Sequence, residues 1–204
     1  MNRRIRSISA LLLLALGSSA CSFLSPEVDL TRFAVLAAVD EIPGEHAEPA
    51  PQTEIALGLG PIGVPEYLLR PEVQTRVGGT RLVPSATELW GEPLDRGLER
   101  VLAADLAQAF GARRVVLHPW YASDAPDVQV RIQFLRFERE AADRVVLHAR
   151  WSVAEPGSIA TAVEHETRLE HATARADGAD AALALSSALV ELTREIADAW
   201  ARAR

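Results

Sequence analysis

Residues 127–137 read DVQVRIQFLRF, residues 144–153 RVVLHARWSV and residues 162–172 AVEHETRLEHA. In the first stretch Val128, Val130, Ile132 and Phe134 alternate with Asp127, Gln129, Arg131 and Gln133. Successive strand side chains point to opposite faces, so this alternation describes a strand with one buried and one wetted face. The apolar phase then moves to Leu135 and Phe137, which requires a bulge or a sharp twist. The second stretch alternates Val145, Leu147, Ala149, Trp151 and Val153 with Val146, His148, Arg150 and Ser152. The third alternates Val163, Thr167 and Leu169 with Glu164, Glu166, Arg168 and Glu170. Consecutive strands with one polar face predict an antiparallel sheet covered on one side only. On that polar face Arg131 and Arg150 are expected to neutralise the three glutamates, with His148 close to Glu164 or Glu166.

Working outward, Leu94–Phe110 carries Leu94, Leu98, Val101, Leu102, Leu106 and Phe110 at three- and four-residue spacing, and Gly111 follows as a stop. That is an amphipathic helix. Asp177–Ala203 is a second, with Leu185, Leu189, Leu192, Ile196 and Trp200 on one stripe. Further strands are expected at Arg32–Val39, Thr53–Leu59 and Arg113–His118, with a hairpin of Glu72–Val77 and Thr80–Val83 about Gly78-Gly79. The three prolines within Asp40–Gln52 predict a mobile loop. The fold class is α+β, a mainly antiparallel sheet with two long helices packed on one face. Trp151 and Trp200 fall on core stripes. Trp90 and Trp120, near prolines, either cap the core or stand exposed for a partner.

The chain opens MNRRIRSISALLLLALGSSAC, a basic start, a short apolar run and small residues before Cys21. These are the three regions of a secretory signal peptide, and the run is far short of the ~20 residues that span a bilayer. Cys21, the single cysteine, forms no intrachain disulfide. Its setting resembles the lipobox of bacterial lipoproteins, whose cysteine is acylated and becomes the mature N-terminus; Ser18 departs from the aliphatic residue usual there. Ser22 in place of aspartate resembles the outer-membrane sorting signal. The plan is a lipoprotein signal peptide over 1–20, a lipidated tether over 21–30 and one α+β periplasmic domain over 31–204. Without its leader the chain carries 18 basic and 28 acidic residues, a net −10. Such a chain lacks the cationic excess that displaces counterions from nucleic acid, so no nucleic-acid partner is expected.

Other motifs carry little chemistry. Gly58–Gly63 matches G-x-G-x-x-G, but Pro61 and Pro65 leave no helix to receive a pyrophosphate, so it is read as a turn out of a strand. His165 and His171 lie about 20 Å apart along one strand, too far to share a metal. No catalytic residue, metal site or cofactor is assigned, and no enzymatic activity is expected.

Leu57–Arg76 reads LGLGPIGVPEYLLRPEVQTR and Leu89–Leu106 reads LWGEPLDRGLERVLAADL. His118-Pro119-Trp120, the 128–137 strand, Ala149-Arg150-Trp151 and an alanine-rich final helix follow. In this order the segments resemble the PqiC (YmbA) family of ABC-type transport auxiliary lipoproteins; Leu69 stands where an acidic residue is expected. The resemblance implies a non-catalytic outer-membrane lipoprotein facing the periplasm. Its implied partners are an MCE-domain protein with an inner-membrane permease and ATPase, together moving lipid and maintaining envelope integrity. A stand-alone lipid- or hydrophobe-binding lipoprotein is the alternative. The transported lipid, its direction of travel and homo-oligomerisation stay open. Within Pro65–Arg76, Tyr67, Leu68, Arg70 and Arg76 are the candidate partner surface, because proline-stiffened segments with Tyr and Arg suit interfaces. The competing reading has Tyr67 and Leu68 plug one end of the sheet while Arg70 pairs with a carboxylate.

Overall fold

The alternating stretch at 127–137 becomes part of β6 (Val128–Glu140), a strand of 13 residues around which a computed structural model arranges the chain. The structure describes residues 29–45, 48, 50–140, 144–157, 162–175 and 177–204. The leader, Cys21, the tether before Asp29 and His46 lie outside the described residues. Along one edge β6 pairs antiparallel with β7 (Arg144–Ala154), which pairs antiparallel with β8 (Val163–Ala172). The β6–β7 register slips between Phe134 and Arg136, where the apolar phase shifts.

The other edge of β6 is shared by two strands. β2 (Ala56–Gly63) runs parallel to its first half, and β3 (Glu72–Val77) runs parallel to Arg139 and Glu140 at its end. Outside β2 lies β5 (Arg114–Leu117), parallel to it. Outside β3 lies β4 (Arg81–Trp90), antiparallel across the Gly78-Gly79 turn, followed by β1 (Arg32–Ala34), parallel to β4. The sheet therefore forks at the middle of β6.

The expected antiparallel ladders are present and are the longest in the sheet, but the sheet is mixed: four of the seven strand pairings are parallel. Antiparallel pairs can be joined by short turns, whereas parallel neighbours need crossover connections. Alternation along a strand records which face is buried and carries no information on the direction of a neighbour. β2 also runs on through the Gly58–Gly63 motif, where the sequence predicts a turn. Pro61, which has no N–H to give, sits where the β2–β6 register shifts between Leu59 and Ile62.

Both helices, α1 (Leu94–Phe110) and α2 (Gly178–Arg202), contribute to one core with the inward face of the sheet. Phe134 and Phe137 meet edge to face there, with ring centroids 5.4 Å apart. Gly111 ends α1 with a φ of 56°, and a Cβ on it would collide with the carbonyl of Pro51. Asp177 caps α2, accepting from the amide of Asp180 at 2.8 Å. Glu88 of β4 accepts from the amide of Gly178 and faces Arg139 of β6 at 3.5 Å, tying α2 to the fork.

After Ala34 the chain leaves the sheet, ending β1 earlier than the expected Val39, and crosses the helices as a strap. The Ala37 amide donates to Ser186 Oγ at 3.0 Å and the Val39 amide to Asp105 Oδ1 at 2.8 Å. Val39 and Ile42 pack on Val190 of α2. Further on, the Ala50 amide donates to the Gln108 carbonyl and the Thr53 amide to that of Gly111. The stretch expected to be a mobile loop is thus fastened to both helices at its described residues.

Burial pushes the Asp105 carboxyl up to about 6, with Asp40 and Glu45 adding to the rise against the opposing Val39 amide and Arg194. An unfolded aspartate titrates near ~3.9. The folded chain therefore holds this proton more tightly, so its contribution is full at low pH and is lost as pH rises from about 4 to about 6. Asp105→Asn keeps an oxygen for the Val39 amide and removes the buried charge. Relative to the parent, the variant should gain up to about 3 kcal/mol above neutral pH and little near pH 4. Urea denaturation across that range checks this; a variant less stable than the parent at neutral pH contradicts it.

Candidate functional site

Between β2 and β3 the chain must pass the fork, and Val64–Pro71 carries it there. Pro65 and Pro71 bracket a 3-10 turn at Glu66–Leu68. Proline fixes φ and cannot continue a strand's hydrogen-bonding, so the turn is short and set at both ends. Leu68, 2% exposed, enters the main core, and Tyr67 beside it is half-buried.

The Tyr67 hydroxyl donates to Glu138 Oε2 at 2.7 Å and lies 3.4 Å from the carbonyl of Leu135, at the bulge of β6. Glu138 also accepts from Arg76 Nε of β3 and from Arg136 Nε at 2.9 Å. Arg76 donates to the Tyr67 oxygen at 3.2 Å and stands 5.5 Å from the ring centroid. Burial, then the Glu138 carboxylate, pushes the Tyr67 phenol up to about 12. Burial alone raises Glu138, but hydrogen bonds from Arg76, Tyr67 and Arg136 outweigh it and hold the group below the usual carboxylate range. The bond to Glu138 raises Arg76 in turn. At neutral pH the cluster is thus a neutral phenol, an ionised carboxylate and two cations, with Arg136 reaching Glu140 at 3.3 Å by its second nitrogen. Such groups hold strands together and have no poised proton to transfer.

The four residues singled out in the sequence are separated by the structure. Leu68 lies in the core, and Tyr67 and Arg76 are committed to Glu138. Arg70 is exposed and has no carboxylate partner among the described residues. Leu69 beside it is 49% exposed. Sequence reasoning missed Glu138 and Arg136; the alternation of Arg136, Glu138 and Glu140 just after the phase shift was the available signal.

The uncovered face of β6, β7 and β8 forms a trough of about 560 Å³ bordered by Pro61, Arg131, Arg150, Ser152 and Glu164. Glu166 binds Arg150 at 2.6 Å and His148 at 2.7 Å, and Arg150 first among them holds its carboxyl below the ordinary range. Glu170 is lowered chiefly by Arg168. Arg131 departs from expectation: it donates to Gln129 at 2.9 Å rather than to a glutamate. His165 stacks on Trp151, with centroids 5.1 Å apart, and His171 meets Glu191 at 3.0 Å. Trp120 packs over Gly58, where a Cβ would approach its ring to 3.1 Å, and Trp90 lies partly buried against the core. Among the described residues no three His, Cys, Asp or Glu converge as a metal site.

A family model, ABC-type transport auxiliary lipoprotein component, matches residues 38–197. A crystal structure of an uncharacterised protein is similar at 18% identity and a TM-score of 0.63, over 82% of this chain and 98% of that one. Protein XCC0632 from Xanthomonas campestris, assigned to family DUF330, is similar at 15% identity and a TM-score of 0.60, over 82% and 89% of the two chains. At these identities the two structures support the fold alone. No curated protein matches.

The Glu138 cluster and Arg70 predict opposite behaviour. Glu138→Gln leaves two part-buried arginines short of their counter-charge and should cost about 3 kcal/mol. Tyr67→Phe should cost about 1–2 kcal/mol. Arg70→Ala should stay within about 0.5 kcal/mol of the parent. Urea midpoints distinguish them; an Arg70→Ala loss equal to that of Glu138→Gln contradicts the placement of Arg70 outside the packed sheet.

Proposed function

The chain belongs to the ABC-type transport auxiliary lipoprotein family, and on that premise we propose that it is an acyl-anchored, non-catalytic subunit of an intermembrane lipid-transport system. Cys21 is the anchor, and the domain beginning at Thr31 faces the periplasm from the outer membrane. The system it serves is one with an MCE-domain protein, an inner-membrane permease and an ATPase. The observation that carries the reading is the placement of Cys21, after a signal-like leader and ten residues ahead of a domain that matches the family. Multiple acyl chains hold a protein durably, since each buried CH₂ contributes about 0.8 kcal/mol.

The described side chains fit a docking part better than a catalytic one. Glu138 and Tyr67 are occupied in closing the fork, and Asp105 in holding the strap. A stand-alone hydrophobe carrier needs space between sheet and helices, and Phe134, Phe137, Leu185 and Leu189 pack there. Of the four candidate partner residues, Arg70 alone stands exposed and outside the Glu138 cluster.

Two measurements test this reading. Cys21→Ser should move the protein from the membrane fraction to the soluble periplasmic fraction with an unchanged melting temperature; a variant that still sediments with salt-washed outer membranes contradicts the anchor. The tagged, acylated chain solubilised from its native membranes should co-purify with an MCE-domain protein and its permease and ATPase. Recovery of the acylated chain free of all three contradicts the assignment to that system.

A further inference from the structure

The first strand of the domain turns its apolar side chains the wrong way for a surface meeting only water. Ala34 and Leu36 point inward and are buried, while Phe33 and Val35 between and beside them are 68% and 57% exposed. Both lie against Gly91, whose amide donates to the carbonyl of Ala34 at 2.8 Å. A Cβ on Gly91 would meet Val35 Cγ1 at 2.8 Å and lie 3.8 Å from Phe33 Cβ. Gly91 is also part of a groove of about 410 Å³ lined by Leu69, Arg70 and Trp90. Phe33, Val35 and Leu69 therefore belong to one surface centred on Gly91.

The charged rim has a direction as well. Arg32 and Arg70 flank this surface, both exposed; Arg32 shares a cleft with Asp177 and helps lower that carboxyl, whereas Arg70 has no carboxylate partner among the described residues. Most other described arginines are paired, Arg76, Arg100, Arg136 and Arg150 among them. Glu92 on the groove is bonded to Arg100 at 2.7 Å, and Asp95 stands on its helix-side lip. Exposed apolar side chains framed by arginines are the composition that partitions into a lipid interface.

Chain length identifies the occupant. Thr31 is ten residues from Cys21, and ten residues span at most about 35 Å. Phe33 is two residues further on. An acyl chain at Cys21 thus keeps this surface within reach of the bilayer, at the high effective concentration of an intramolecular partner. We propose that Phe33, Val35 and Leu69, framed by Arg32 and Arg70, seat on the lipid surface into which the Cys21 anchor is inserted. The inference rests on the acylation of Cys21. It sets β1 and the Leu69–Pro71 segment at the membrane.

The test uses the full acylated chain in vesicles of phosphatidylethanolamine and phosphatidylglycerol, with and without brominated acyl chains. Because Cys21 is blocked by its lipid, single cysteines from Phe33→Cys, Val35→Cys and, as a control, Tyr121→Cys accept one environment-sensitive fluorophore each. Tyr121 is 81% exposed and belongs to the loop after β5. Brominated lipid should remove most of the emission at positions 33 and 35 and leave position 121 unchanged. Adding Arg32→Glu and Arg70→Glu should restore emission at 33 and 35. Protein that floats with the vesicles but is unquenched at 33 and 35 overturns the proposal. A blue-shifted, unquenched label also overturns it, assigning the surface to a protein or a second copy. Protein left at the bottom of the gradient overturns the acyl anchor, and the proposal with it.

Discussion

One strand, β6, has to serve two partners along a single edge, and the gap between them must be filled. Where β2 departs and β3 arrives, the ladder is interrupted beside Leu135, and its carbonyl and the buried Glu138 carboxylate both need donors. Tyr67, Arg76 and Arg136 supply them, and Leu68 fills the apolar part of the same gap. An unmet buried carboxylate would cost more than the sheet gains locally, so the 64–76 segment and the end of β6 are one unit. The prolines that bracket the candidate partner segment also set the short turn that delivers Tyr67 and Leu68.

Much of the architecture was legible because it rests on local periodicity. The helix at Leu94–Phe110 and the Gly78-Gly79 hairpin appear as expected, as does the bulge after Phe134. Partner direction was not legible, since the parallel pairings of β2 and β3 with β6 are made by residues far apart in the chain. Nor was the reach of β2, because glycine and proline read as a turn unless the neighbouring strand's register shift is known. The candidate site was half legible. The segment around Tyr67 stood out by its composition, but its role depended on Glu138, some seventy residues on. Arg131 was assigned to a glutamate by strand proximity, and the competing amide of Gln129 on the same strand was nearer.

The strap and the first strand tie the sheet edge to the helix pair. The chain joins the edge of the sheet at β1, then crosses both helices where Ser186 and Asp105 hold it. The polar groups described above are committed to closing a fork and pinning a strap.

The proposed envelope role hangs on the chemistry of one residue, Cys21. The most direct measurement is mass spectrometry of the N-terminal peptide from protein extracted from its native membranes. The account requires a peptide that begins at Cys21 and carries the added mass of a diacylglyceryl group and an amide-linked acyl chain. A peptide with an unmodified Cys21, or one that begins at another residue, contradicts it.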